Sequence, residues 1–422
     1  MSEAQSQEVR TRRVLYIPGF DPVPARKYRE RYRRGGEDQA AISGYALTMG
    51  PQRTEGYYGW SVETEIDGNR TQADIEVLVW ADIVKDSMGH GIAATYWQLL
   101  KTAWAYIGSG ALFRLMRLRK GPVIAALYPV LLLLAQLGLA LGLGFALAYG
   151  ALAGSEALLR GIEGERSGGQ SLFVLRAAMA LVMWPSLAWL VLRWFKRRDP
   201  WLGWYLMHDY AFSASCGGAY PPAQEARMRE FADRIAGALA EDVEEVLVVG
   251  HSSGAYMAVS LLADVIRAGR VPDSGPKLAL LTLGHVVPMV SFLPKAGRLR
   301  ADLAFLSTRE EITWLDVTAP GDGCSFALCD PVAVTGVAPE GQRWPLVISA
   351  AFTQTLSPER QKALKWQLFE LHFQYLNAFD RPGDYDYFQI TAGPLTLATR
   401  YAGRAPSPGR IAKPVNRHRS LS

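Results

Sequence analysis

Residues 244–262 read EEVLVVGHSSGAYMAVSLL, and this stretch decides what kind of fold the 422-residue chain adopts. Val246–Val249 form a short uncharged run of strand length, and from about Ala255 to Ala268 apolar residues recur at helical spacing. Between the two stand Gly250, His251, Ser252, Ser253 and Gly254. A strand that passes into a helix through Gly-x-Ser-x-Gly lifts the central hydroxyl to the sheet edge, while the glycines let strand and helix pass closely. By position Ser252 is the candidate nucleophile, and Ser253 would contribute its backbone N–H. The plainer reading is a turn between a buried strand and a helix, because the motif arises easily in a chain with 40 glycines.

Working outward, the same alternation continues. RVLYIPGF (Arg13–Phe20) reads as a buried strand ending in a Pro-Gly turn. Residues 61–82 alternate on either side of Asp67-Gly68-Asn69, the signature of a hairpin. AQEARMREFADRIAGALAE (223–241) is an amphipathic helix leading into the strand at 245–250, and KLALLTLG, RADLAFLS, EITWLDVT and WPLVISAAF read as strand, helix, strand, strand. Such alternation predicts an α/β fold: a mostly parallel sheet flanked by helices.

The strand, turn and helix around Gly250–Gly254 resemble the α/β-hydrolase superfamily, and the resemblance covers most of residues 13–100 and 205–395. In that family an acid and then a histidine follow the serine along the chain. For the acid the resemblance implies Asp322, in the loop beyond the strand ITWLDVT, with Asp316 inside that strand as the alternative. For the base it implies His372 in LFELHFQYLNAF; His285 precedes the acid, and His418 lies in the basic tail. One departure stands out: Pro358–Leu376 reads as helical, whereas the family histidine usually sits on a loop. The resemblance also implies an oxyanion site built from the Ser253 amide and an amide of the early turn YIPGFDP, for which Phe20 is the candidate.

The middle of the chain is different. PVIAALYPVLLLLAQLGLALGLGFALAYGALAG (122–154) has no formal charge, and LFVLRAAMALVMWPSLAWLVLRWF (172–195) carries only Arg176 and Arg193 near its ends. Each exceeds the roughly 20 residues needed to cross a bilayer. Arg114, Arg117, Arg119 and Lys120 precede the first span and Lys196–Arg198 follow the second. In the connecting loop Arg160 and Arg166 are offset by Glu156, Glu163 and Glu165. Basic flanks favour the cytoplasmic side, so the expectation is an integral membrane hairpin with both termini and the α/β domain cytoplasmic. Residues 92–118 read as a lead-in helix in the interface. The pairs Gly138/Gly142 and Gly150/Gly154 offer close helix packing.

The expected organisation is therefore a disordered N-terminal tail (1–12), a first part of the α/β domain (13–91), the interfacial and membrane segment (92–200), the second part with the serine turn (201–400), and a basic disordered tail (401–422). Net charge is +5, but the cations cluster beside apolar segments, which points to a bilayer rather than nucleic acid. The run ARKYRERYRRGG (25–36) reads first as a solvated helix face. Three scattered cysteines, with no CxxC spacing, predict free thiols in a reducing compartment and no metal site. The activity expected is cleavage of a lipophilic acyl ester or thioester through an acyl-enzyme, with no cofactor. An acyltransferase or thioesterase on the same residues, or a non-catalytic membrane scaffold, are the alternatives. Oligomeric state cannot be read from these features.

Overall fold

The computed structural model describes residues 8–89, 91–163 and 170–422. Eight strands form one sheet: β1 (Thr11–Ile17), β2 (Ala46–Gly50), β3 (Gly59–Ile66), β4 (Asn69–Val77), β5 (Glu245–His251), β6 (Lys277–Leu283), β7 (Ile312–Thr318) and β8 (Leu346–Ser349). Their order across the sheet is β2-β3-β4-β1-β5-β6-β7-β8. β2, β3 and β4 are antiparallel neighbours, and every pairing from β4 through β1 to β8 is parallel. The apolar runs explain this division. β5 is buried at every position, as a strand covered by helices on both faces must be, while β3 turns to alternating burial towards its end, as expected near a sheet margin. Asp67 and Gly68 take positive φ in the β3–β4 turn.

From β1 the chain crosses to the sheet edge at β2, returns through β3 and β4 to pair with β1, and then continues on the other side of β1 with β5. The carboxyl ends of β1 and β5 therefore flank a switch point, the place where open parallel sheets bind ligands. The crossing there is tight. A β-carbon on Gly254 would lie 2.2 Å from the Ile17 carbonyl oxygen, and one on Gly250 would lie 2.7 Å from the Gly254 carbonyl. Only glycine lets β1, β5 and the helix Ser253–Arg267 come this close.

By contacts the chain divides into two units. One holds the sheet and includes Ala103–Val123 and Ser213–Ser422; the other comprises Met88–Thr102 and Ile124–Phe212. In the second unit, the helices Lys120–Glu163 and Gln170–Arg198 contain segments long and apolar enough to cross a membrane, Lys120–Ser155 and Arg176–Arg198, with mean hydropathies of 2.3 and 1.4. Both segments are mostly exposed, the reverse of a soluble core helix. Ala140, Ala188 and Leu192 pack together, and Trp184 Nε1 donates to the Leu141 carbonyl at 2.9 Å. The close approach of backbones occurs at Gly144, where a β-carbon would meet the Ala188 nitrogen at 2.9 Å and the Trp184 carbonyl at 3.0 Å. Among the described residues nothing lies within 4 Å of a β-carbon placed on Gly138, Gly142, Gly150 or Gly154, so the close packing falls at Gly144 and not at the small-residue pairs expected. Glu165 and Arg166 of the connecting loop lie outside the described residues; the first apolar helix runs on to Glu163.

Three other expectations are corrected. The lead-in helix is two helices, Ile92–Gly108 and Ala111–Leu118, broken where Gly110 adopts φ 72°. Its second half packs on the sheet unit: Leu115 is fully buried and Arg114 donates to the Val415 carbonyl. The tail from 401 to 422 is likewise packed rather than free. Ile411 bridges Cys329, buried Asn416 donates to the Ser291 carbonyl, and Arg300 donates to the Ser420 carbonyl at 2.6 Å. Its basic composition hid these main-chain anchors. Of the N-terminal tail, residues 1–7 lie outside the described residues, while Thr11 and Arg12 already belong to β1, where Arg12 pairs with buried Glu245 at 2.6 Å.

Candidate active site

β5 ends at His251, and the helix begins at Ser253; Ser252 between them has φ 56° and ψ −118°. A side-chain-bearing residue held there is strained, and such strain persists only where surrounding structure over-determines it. Here the Ser252 N–H donates to the Leu283 carbonyl at 2.9 Å and its carbonyl accepts from Ala255 N at 3.2 Å. Ser253 stands in the first turn of the helix, where N–H groups have no intrahelical acceptor. On the other side the turn after β1 abuts the serine: a β-carbon on Gly19 would come 2.9 Å from Ser252 Cβ and 3.4 Å from its Oγ. Phe20 follows, buried and edge-on to Trp80. The structure thus brings Gly19–Phe20, Ser252 and Ser253 to one place.

His372 and Asp322 meet at the same edge. His372 Nδ1 donates to Asp322 Oδ2 at 2.8 Å, and both side chains are buried. The histidine ring covers Gly284, whose added β-carbon would meet Cε1 at 3.0 Å. Gly284 directly follows Leu283, the acceptor for the Ser252 amide, so imidazole and serine share a neighbour. Among the described residues the Ser252 hydroxyl itself makes no hydrogen bond. Unliganded sites often leave this contact to tighten when substrate binds. The expected long helix is broken: Pro358–Leu364 stops before Lys365, and His372 ends the short helix Leu368–His372. That break puts His372 at a helix end rather than within a long helix.

The carboxylate is firmly held. Asp322 Oδ1 accepts from Cys324 N at 2.9 Å, and Oδ2 also accepts from Tyr375 Oη at 3.0 Å. Burial alone would raise its pKa, but the adjacent His372 ring and the Cys324 amide outweigh it, and the carboxyl sits below its ordinary value. His251 adds a packed layer, its ring 4.8 Å from that of His372. Burial, then the neighbouring His372, lower its pKa to about 3, so it is neutral. Its Nε2 lies 3.1 Å from the His372 carbonyl, which can only accept, so that nitrogen carries the proton.

Asp316 and His285 belong elsewhere. Asp316 Oδ1 accepts from Thr282 Oγ1 at 2.6 Å, and Oδ2 lies 3.7 Å from His285 Nε2, which donates to the Cys329 carbonyl at 2.9 Å. The pair is fully buried within the β6–β7 edge of the core and holds neither Ser252 nor His372. His418 lies in the C-terminal segment, its N–H on Asn416 Oδ1. Burial pushes the Asp316 carboxyl up from 3.8 to about 6. The folded state therefore keeps a proton that the unfolded chain releases, and stability falls as pH rises from about 4 to about 6. Asp316→Asn is expected to abolish that fall, which amounts to about 3 kcal/mol. Urea unfolding of the full chain at about pH 4 and about pH 7 measures it; an unchanged slope in the variant would contradict the assignment.

Two cations of the basic run 26–34 are paired on their own helix. Arg33 pairs with Glu30 and Glu37, and Arg34 with Glu30, while Tyr28 and Tyr32 point into the core. Arg31 reaches instead towards the site, 4.6 Å over the Phe373 ring and paired with Glu370 at 3.1 Å.

Three contributors escape a reading of the sequence: His251, Tyr375 and Cys324. His251 was visible inside the motif, and Tyr375 stands three residues beyond the histidine, but only the folded chain shows what they touch. Asp322, Cys324 and His372 also place an oxygen, a sulfur and a nitrogen within 4.8 Å of one another, the one such donor group found among the described residues. Comparison with protein-family models, curated proteins and solved structures gave no match to this chain.

Proposed function

We propose that the protein is a membrane-anchored serine hydrolase of α/β-hydrolase type that cleaves a lipophilic acyl ester. The observation that carries this reading is Ser252: a serine at φ 56° on the turn leaving a central parallel strand, at the edge that also carries the Asp322–His372 pair. Holding a residue in that region costs on the order of 1–3 kcal/mol, and exposing a nucleophile is a reason to bear the cost.

In this mechanism Asp322 accepts a hydrogen bond from the Nδ1–H of His372, which keeps the ring proton on Nδ1 and leaves the Nε2 lone pair as the base. Ser252 Oγ attacks the acyl carbonyl and its proton passes to Nε2. The carbonyl oxygen becomes an oxyanion, held by the amides of Phe20 and Ser253. Collapse returns the electron pair, expels the alcohol and gives it the imidazolium proton. Water, deprotonated by the same Nε2, then attacks the acyl-serine and releases the acid.

The apolar helices support a lipophilic substrate and a membrane address. Basic residues at 114–120 and 196–198 support a cytoplasmic side for both flanks of the hairpin. Detergent-purified protein offered a series of acyl esters tests the substrate class. The expected result is a kcat/KM that rises with acyl length by at least about tenfold from short to long chains, since each buried methylene contributes roughly 0.8 kcal/mol. Strict preference for short polar esters would contradict it.

A further inference from the structure

We propose that Asp322, Cys324 and His372 form a binding site for one zinc-class divalent cation, and that the cation switches off the proposed hydrolase by reversing the tautomer of His372. The inhibitory half rests on the Ser252 reading; the binding half does not.

The donor set is one carboxylate oxygen, one thiol sulfur and one imidazole nitrogen, all within 4.8 Å of one another. This mixture suits zinc and cobalt rather than magnesium or calcium, which take oxygen ligands. Asp322 and His372 are buried, Cys324 is half-buried, and none of the three cysteines is in a disulfide. The present spacing is close to what a tetrahedral ion requires. Ligand bonds of about 2.0–2.3 Å need donors somewhat further apart than the 2.8 Å between His372 Nδ1 and Asp322 Oδ2, and closer than the outer limit of the cluster. Small side-chain rotations supply both changes. Outer contacts are already in place: Tyr375 Oη and the Cys324 N–H hold the carboxylate, and Tyr375 Oη also accepts from Ala319 N at 3.0 Å. Three protein ligands leave a fourth position to water.

The consequence follows from proton bookkeeping. Without metal, Nδ1 carries the ring proton and donates it in a hydrogen bond to Asp322, and Nε2 is the base. A cation on the carboxylate side takes the Nδ1 lone pair, so the neutral ring must carry its one proton on Nε2. The Cys324 thiol loses its proton to solvent and binds as thiolate. The net change is one proton released and one moved across the ring. A ring with Nε2–H cannot accept the Ser252 proton, and the relay stops until the metal leaves.

The test uses the full-length protein in detergent with cobalt and zinc ions. Cobalt is expected to give the near-ultraviolet charge-transfer band of a metal-bound thiolate, lost in Cys324→Ala and in Cys324→Ser and kept in Cys216→Ser. Zinc is expected to inhibit ester hydrolysis, with recovery on adding a chelator. The zinc concentration for half-inhibition, measured against each variant's own zinc-free rate, should rise at least about tenfold in both Cys324 variants. A band that survives in them, or a half-inhibition concentration that does not move, overturns the site. Should the protein cleave no ester at all, the hydrolase reading fails while the cobalt band still decides metal binding.

Discussion

Ser252→Ala is expected to lower kcat for ester cleavage by on the order of 10⁶-fold, close to complete loss of enzymatic turnover. The size of the effect follows from the two-step route. Without the hydroxyl no acyl-enzyme forms, and the remaining oxyanion donors and binding contacts leave only residual acceleration. The fold should tolerate the change, because the Ser252 amide, not its side chain, ties the turn to Leu283, and the hydroxyl has no hydrogen-bond partner among the described residues. Circular dichroism and the unfolding midpoint should therefore match those of the parent chain while turnover disappears. Residual turnover of even a few per cent would show that another group performs the attack.

Asp322→Asn should cost about 10⁴-fold in kcat with little change in KM. The carboxylate accepts a hydrogen bond from the Nδ1–H of His372 at 2.8 Å, and that bond holds the ring proton on Nδ1 and keeps Nε2 unprotonated. An amide can present an N–H to Nδ1, which stabilises the opposite tautomer and puts the ring proton on Nε2, where it blocks the base. Asp316→Asn is the matched comparison. Its carboxyl faces Thr282 and His285, so turnover should stay within a few-fold of the parent while the pH dependence of stability changes. If the two variants exchanged these effects, Asp316 would be the acid and the site would need a different arrangement from the one observed.

Much of this arrangement is legible in the sequence because it is encoded locally. The run Val246–Val249 with its glycines is a short-range pattern, and it coincides with β5, the turn and the following helix. The Asp67-Gly68 hairpin is local in the same way. The apolar helices announce themselves by length and lack of charge alone. What the sequence conceals depends on contacts between distant segments. β2 lacks a clear apolar alternation and exists by pairing with β3. The Ile92–Leu118 region reads as one amphipathic helix, yet Gly110 breaks it and Leu115 turns into the sheet unit. The C-terminal segment looks unstructured by composition, but the Ser420 carbonyl accepts from Arg300 and the Asn416 side chain donates to the Ser291 carbonyl, contacts between segments far apart in the chain. The choice between Asp322 and Asp316 has the same origin. One lies inside the strand Ile312–Thr318 and the other in the loop just beyond it, and the folded position of His372, fifty residues on, decides between them.

The two readings, serine chemistry and metal inhibition, meet at one imidazole. Each needs His372 Nδ1 to have Asp322 as its neighbour, and each assigns a different occupant to the space between them. That shared dependence makes the state of the serine the more fundamental question, since nothing about a metal at Nδ1 would matter to turnover if Ser252 were chemically inert.

The most direct measurement is the covalent one. Detergent-solubilised protein treated with a fluorophosphonate and digested for peptide mass spectrometry should carry a single organophosphorus adduct, on Ser252, formed much faster than on Ser253 and absent after Ser252→Ala. An unmodified peptide spanning residues 244–262 under conditions that fully label a known serine hydrolase, or an adduct on any other residue, would contradict the account.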